Sequence, residues 1–300
     1  MTTRILILVT LVLTGGIFAS AAVAQSGAEV PVNFEAASPT KGLWREWPIG
    51  TTVTLRRTLT DRAIDMQAVQ FHRRMLVGRS NDGVAVVAGY RAEQEAGPWQ
   101  FAQSAAGEMT GFLHEPGIRQ ISERPDKLLV DGKPVDCVVR VYAGTRETHW
   151  REQVEGEEWT VGSDGPPLKS SVSLSYEIAG QKSGNSEAVT CTGQQKLKVG
   201  TQELAAYETV EERRMADKVI GGNTRRYWSE KVPGWLVRRR SWNQPDERQP
   251  PNMEDEVIAF GPDAALLDRY VKTDRPPEAE QAELWSRSRT TTRPATVPAR

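Results

Sequence analysis

The chain is short of the residues from which most active sites are built. It has three histidines, His72, His114 and His149, and no two share the i,i+2, i,i+4 or H-E-x-x-H spacing of a metal site. No G-x-S-x-G elbow, S-x-x-K pair or phosphate-binding glycine loop occurs. Two cysteines, Cys137 and Cys191, are too few and too far apart for a C-x-x-C redox pair or a zinc cluster. No metal and no cofactor is therefore expected. Charge of one sign is also missing: 38 basic side chains stand against 39 acidic ones. That balance gives no global attraction to nucleic acid or to an anionic membrane surface. After residue 25 no run is long and apolar enough to span a membrane.

What is present begins with an address. Arg4 precedes the apolar run Ile5 to Leu13, and small residues follow, ending Ala22-Val23-Ala24-Gln25. A charged start, an apolar centre and an A-x-A exit make a secretory signal peptide over residues 1–24. An uncleaved anchor would need the same apolar length, but the glycine pair at Gly15-Gly16 and the A-x-A end favour cleavage near Ala24. The expected mature protein is exported, periplasmic or secreted. In such a compartment Cys137 and Cys191 are a candidate disulfide, closing a loop of about 54 residues for on the order of 4 kcal/mol in the chain-entropy model. Each also sits in a strand-like run, so two separately buried thiols remain the alternative.

Residues 25–42 read as a flexible leader. Beyond them β-branched residues alternate with polar ones in about a dozen short runs, the first being T-T-V-T-L-R-R-T-L from Thr51. Turn signals separate the runs: Asn81-Asp82-Gly83, Asp131-Gly132, Gly221-Gly222-Asn223 and Pro233-Gly234. The prediction is an all-β fold with minor α content, an antiparallel curved sheet, half-barrel or sandwich. Two related β meanders are expected over 43–162 and 168–261, divided at Asp164-Gly-Pro-Pro167. A short helix follows at 262–271, starting at Asp263, and a Pro/Arg/Thr-rich disordered tail covers 272–300.

The duplication rests on W-R-E-Q-V-E-G (Trp150 to Gly156) and W-S-E-K-V-P-G (Trp228 to Gly234), which agree at four of seven positions. Each is read as a hairpin corner, with Trp150 and Trp228 packing over the sheet and Gly156 or Pro233-Gly234 turning the chain.

Arginine pairs recur inside the predicted strands, at 56–57, 73–74, 213–214 and 225–226, with a triplet at 238–240. With period-2 alternation, one member of each pair faces each side of the sheet. Inward arginines need acidic partners, because an unpaired buried charge is expensive. Glu208, Glu211, Glu212 and Glu230 are the candidate partners. The alternative is a face that holds Arg57, Arg74, Arg225, Arg226 and Arg239 open for an anionic or lipid-like ligand, since the guanidinium fork suits such groups. Adjacent carboxylates such as Glu157-Glu158, Glu211-Glu212 and Asp255-Glu256 point to opposite faces and make no acid/base pair within one strand.

The "W-x-x-x-P-x-G-T-x-V" opening, the "V-D-G-K-x-V-x-C" meander and the closing "Y-W-S-E-K-V-P-G-W-L-V-R" resemble uncharacterised exported β proteins of bacteria. More distantly the chain is similar to the LolA-like lipoprotein-carrier superfamily. That resemblance implies a curved half-barrel whose sheet holds an acyl chain beneath covering helices, with no catalytic residue to carry over. The sequence reading is a non-enzymatic envelope protein that binds a ligand or partner on a curved sheet. Its alternatives are an envelope hydrolase with carboxylates converging in a cleft, and a structural or assembly subunit. Nothing in the sequence sets an oligomeric state.

Overall fold

The computed structural model describes residues 43–44, 46–79, 85–106, 117–147, 151–162, 165–178, 181–215, 218–219, 222–244 and 247–275. The signal segment, the leader, Trp150, His114, His149 and all but the first residues of the tail lie outside them. The strands are β1 (Thr51–Asp61), β2 (Met66–Arg79), β3 (Ala85–Ala92), β4 (Gln100–Ala106), β5 (Ile118–Val130), β6 (Lys133–Glu147) and β7 (Arg151–Val161). They continue with β8 (Pro167–Ile178), β9 (Gln181–Val199), β10 (Gln202–Met215), β11 (Lys218–Val219), β12 (Thr224–Trp228), β13 (Leu236–Ser241) and β14 (Met253–Pro262). One helix, α1 (Ala264–Arg269), and a π-helical turn, Tyr270–Asp274, complete the described residues.

All the strands join one antiparallel sheet in the order β4-β3-β2-β1-β14-β13-β12-β10-β9-β8-β7-β6-β5, with β11 attached to β10. The fold is thus a single curved, open sheet and not a sandwich of two. Most neighbours are hairpin partners, as local turn chemistry dictates. At the β5–β6 tip, for example, Asp131 (φ 50) and Gly132 (φ 74) supply the two left-handed residues of a tight hairpin turn. The long-range pairing is that of β14, which returns to β1 from Thr51↔Pro262 to Leu59↔Met253. The D-G-P-P stretch joins β7 to β8, which pair directly. Among the described strands β4 and β5 stand at the two ends of the order.

The sheet curls strongly. β5 lies four places from β9, which in a flat sheet is about 19 Å. Yet Oδ2 of Asp131, in the turn after β5, accepts a hydrogen bond from the Gln194 N–H of β9 at 2.7 Å. The largest apolar cluster joins Val53 and Leu55 (β1), Val257 (β14), Val237 (β13) and Val87 (β3) with Leu43, Trp44 and Val232. On the opposite face of β2 and β3, Met75, Ala88 and Tyr90 are covered by Leu266 of α1 and by Tyr270. Asp263 starts that helix as expected: its Oδ1 accepts the Leu266 N–H at 2.9 Å.

The two tryptophan motifs are not equivalent corners. Trp228 ends β12, and after it Pro233-Gly234 turns the chain, with Gly234 at φ +76 and its N–H donating to Leu43 O at 2.8 Å. Gly156 does not turn anything. It lies in the middle of β7, opposite Tyr142 on one side and Val172 on the other. A glycine there removes the side chain next to a buried tyrosine ring, which is a strand-interior use of glycine. Glu152 takes an arginine, Arg146 Nε at 2.6 Å, whereas Glu230 lies against Lys231 at 3.7 Å on the surface.

Candidate functional site: a charged belt beside the apolar core

Strand register assigns the arginines to faces. Arg57 pairs across with Asp255, and Asp255 with Arg239. Arg239 lies opposite Arg226, and Arg226 opposite Thr209. On the other side of β1, Leu55 is opposite His72 and Val53 opposite Arg74, and His72 is opposite Arg91. All of these share the face that carries Val53 and Leu55. Along each strand the apolar residues stop and charge begins: Leu55 then Arg57, Val257 then Asp255, Val237 then Arg239, Leu76 then Arg74 and His72. The result is a belt of charge running across β3, β2, β1, β14, β13, β12 and β10 at the edge of the core.

Asp255 is the hub of the belt. Arg57 grips it with Nε to Oδ1 at 2.7 Å and Nη2 to Oδ2 at 3.0 Å, and Arg239 Nη2 reaches Oδ2 at 2.6 Å. Burial alone would raise its pKa; the hydrogen bonds from Arg57 and the charge of Arg239 win and hold it down at about 2. Arg74 is pushed down to about 10 by burial, with Asp255 opposing and Arg239 and Arg57 assisting. His72 is 6% exposed, and burial together with Arg57 lowers its pKa to about 4, so at neutral pH it is an uncharged imidazole. Its Nε2 is buried and has no hydrogen-bond partner among the described residues. Arg91, beside it, makes no ion pair among the described residues.

The belt continues as a lattice of pairs. Arg226 binds Glu211, and Arg213 bridges Glu211 at 3.3 Å and Glu187 at 3.1 Å. Burial and the Glu211 charge push Glu187 up, while Arg226 and Arg213 overcome burial to hold Glu211 down. Two carboxylates do converge here, but arginines hold both.

The opposite face carries its own ladder. Arg56 binds Glu256 at 2.7 Å, Arg238 also binds Glu256, and Arg240 binds Glu254 at 2.8 Å. Arg225 belongs to this side, held by Glu208 at 2.6 Å and Glu247 at 2.7 Å. Of the five arginines singled out in the sequence, the structure therefore gathers Arg57, Arg74 and Arg239 around Asp255. It places Arg226 next to them and Arg225 on the other face. The expected acidic partners Glu208, Glu211 and Glu212 are used; Glu230 is not.

Sequence reading passed over Asp255, His72 and Arg91 as members of one site. The signal lay in parity: Asp255 has the parity of Val257, and His72 that of Leu76, so both fall on the apolar face of their strands. Cys137 and Cys191 are thiols in one apolar cluster. Among the described residues no group of three or more His, Cys, Asp or Glu side chains is arranged to hold a metal ion. No helix there is long and apolar enough to cross a membrane.

No family model and no curated protein matches the chain. Two solved structures do. One is a protein named as exported, with a YmcC-like fold, from Bacteroides fragilis NCTC 9343. It is 8% identical at a TM-score of 0.30, over 71% of this chain and 96% of that one. The other is the lipoprotein YmcC from Escherichia coli K12, 10% identical at a TM-score of 0.21, over 49% of this chain and 86% of that one. Both carry the YmcC name, not that of the lipoprotein carriers. At such scores the fold is read from the strand order, and function from the site.

Proposed function

We propose that this is a non-enzymatic, exported envelope protein that binds an oxyanion-bearing ligand on the charged belt of the Val53 face. One observation carries the reading. On that face Arg91, which makes no ion pair among the described residues, stands opposite His72, whose buried Nε2 has no hydrogen-bond partner among them. A partly buried guanidinium without an ion pair is costly unless matched, and its planar fork is suited to phosphate, sulfate or carboxylate oxygens. His72, neutral at pH 7, offers Nε2 as a further hydrogen-bond group without adding charge. The arginine-clamped state of Glu187 and Glu211 supports binding over hydrolysis, because a general acid or base needs a carboxyl free to exchange its proton.

Native mass spectrometry of protein released gently from its own envelope tests for a retained ligand. Titration with inorganic phosphate, a uronic-acid oligosaccharide and vesicles of anionic phospholipid then separates the sources of the oxyanion. Arg91→Gln removes one positive charge without orphaning a carboxylate. It is expected to weaken binding by about tenfold or more while unfolding at the same denaturant concentration. Equal binding by wild type and Arg91→Gln, or no binding of any of the three, overturns the reading.

A further inference from the structure

Cys137 and Cys191 are the only two cysteines of the chain, and they come from β6 and β9, three places apart in the sheet. In a flat sheet those strands stand about 14 Å apart. The curl removes that distance. The β5–β6 turn rests on β9, where Asp131 accepts the Gln194 N–H at 2.7 Å. A Cβ on Gly193 would stand 2.8 Å from Asp131 Oδ1, so a larger residue there would push that carboxylate aside. Next to this contact Cys137, Val130 and Leu168 form a buried cluster, and Cys191, Trp159 and Tyr207 pack against it. Both thiols thus border the same apolar cluster.

Neither thiol has another visible task. Burial raises the pKa of each, so both rest as thiols, and exchange proceeds slowly through the minor thiolate fraction. Cys191 is the more accessible of the two, being half-buried where Cys137 is buried.

We infer that Cys137 and Cys191 form an oxidative modification site, converted to one intramolecular disulfide that locks the curl of the sheet. The inference rests on the exported reading, since such bonds persist only in an oxidising compartment. The oxidant is a protein or low-mass disulfide. The Cys191 thiolate attacks one of its sulfurs and expels the first leaving thiolate, giving a mixed disulfide. The Cys137 thiolate then attacks Cys191 Sγ and expels the second. The two thiol protons end on the two leaving thiolates, and the oxidant takes the two electrons. The product ties β6 to β9 across β7 and β8, fixing covalently a bend otherwise held by one apolar cluster and the Asp131–Gln194 contact.

The full mature chain, purified folded and reduced, is incubated with excess glutathione disulfide, unfolded, and treated with an alkylating reagent. The expected product takes up no alkyl group, is lighter than the reduced chain by about 2 Da, and yields a Cys137–Cys191 cross-linked peptide. Its melting temperature is expected to fall by roughly 5–15 °C on reduction, with no such fall in Cys137→Ser/Cys191→Ser. Two alkylatable thiols, glutathione adducts that never resolve, or bonds only between chains would overturn the inference, and the mass readout does so whether or not the double variant folds. The oxidation is carried out on purified protein, so failure of the bond is distinct from failure of export.

Discussion

Arg57 and Asp255 meet across β1 and β14 as a two-point pair, with contacts of 2.7 and 3.0 Å, and the second oxygen of the same carboxylate takes Arg239 from β13. One buried acid thus joins three strands whose next neighbours on that face are valine and leucine. The first strand of the body, the last strand, and the strand before it are bound at the point where the core ends. Because Glu254 and Glu256 flank Asp255 on the other face and bind Arg240, Arg238 and Arg56, β14 is stitched on both sides.

Asp255→Asn removes the charged acceptor that Arg57 and Arg239 share. Removing one partner of a buried ion pair costs about 3–5 kcal/mol, much more than the pair itself contributes. Urea unfolding is expected to show a loss of that size, partly recovered at high phosphate concentration as anions replace the missing charge. A change under about 0.5 kcal/mol, the range of ordinary surface substitutions, would mean that Asp255 is not the hub.

His72 makes stability fall in mild acid. Its pKa is about 4 in the folded chain against 6.5 outside it, because burial and the charges of Arg57, Arg91 and Arg74 outweigh Asp255. Between those values the unfolded chain binds more protons than the folded one, so acidification favours unfolding. The His72 contribution is complete above pH 6.5 and is lost as pH falls towards 4, up to about 3 kcal/mol. Asp255, depressed from 3.8 to about 2, adds a second loss only below pH 3.8. His72→Gln should flatten the upper step and leave the lower one. An unchanged slope in that variant would assign the mild-acid loss to another group.

Gly234 and Gly132 both hold left-handed backbone, at φ +76 and +74, yet they should respond differently to alanine. A Cβ at Gly132 meets nothing within 4 Å, so Gly132→Ala bears only the conformational penalty of about 1 kcal/mol. A Cβ at Gly234 would stand 3.1 Å from the Trp44 indole nitrogen, and Trp44 is buried in the main cluster. Gly234→Ala is therefore expected to cost about 2–3 kcal/mol by chemical denaturation. Equal costs would mean that Trp44 yields freely.

Much of the sheet could be read in the sequence because alternation, β-branching and D-G or P-G turns act locally. The strand starting at Thr51, the D-G hairpin and the Asp263 cap all follow from neighbours in the chain. The return of β14 to β1 does not: nothing local tells a strand at 253 to pair with one at 51. The site depended on that pairing, since Arg57 finds Asp255 only across it. Gly156 was misread for the same reason. Its sequence resembles a corner, but its place between Tyr142 and Val172 is set by strands before and after β7.

Trp228 offers a test of how the belt is anchored at β12. Its indole N–H donates to Thr209 Oγ1 at 3.0 Å in a buried setting, and Thr209 Oγ1 in turn lies 3.4 Å from Arg226 O. The two partners should be unequal when changed singly. Trp228→Phe leaves the threonine hydroxyl its contact with Arg226 O, so the loss is one net hydrogen bond plus a small void, about 1–2 kcal/mol. Thr209→Val keeps the volume but leaves a buried indole donor with no acceptor, costing about 1–3 kcal/mol for the desolvated N–H. Once Trp228 is phenylalanine that donor is gone, so Thr209→Val should cost less in that background. A double-mutant cycle in urea is expected to give a coupling of about 0.5–1.5 kcal/mol. Strict additivity would mean that the tryptophan is held by packing alone, and that Arg226 takes its place in the belt without help from this bond.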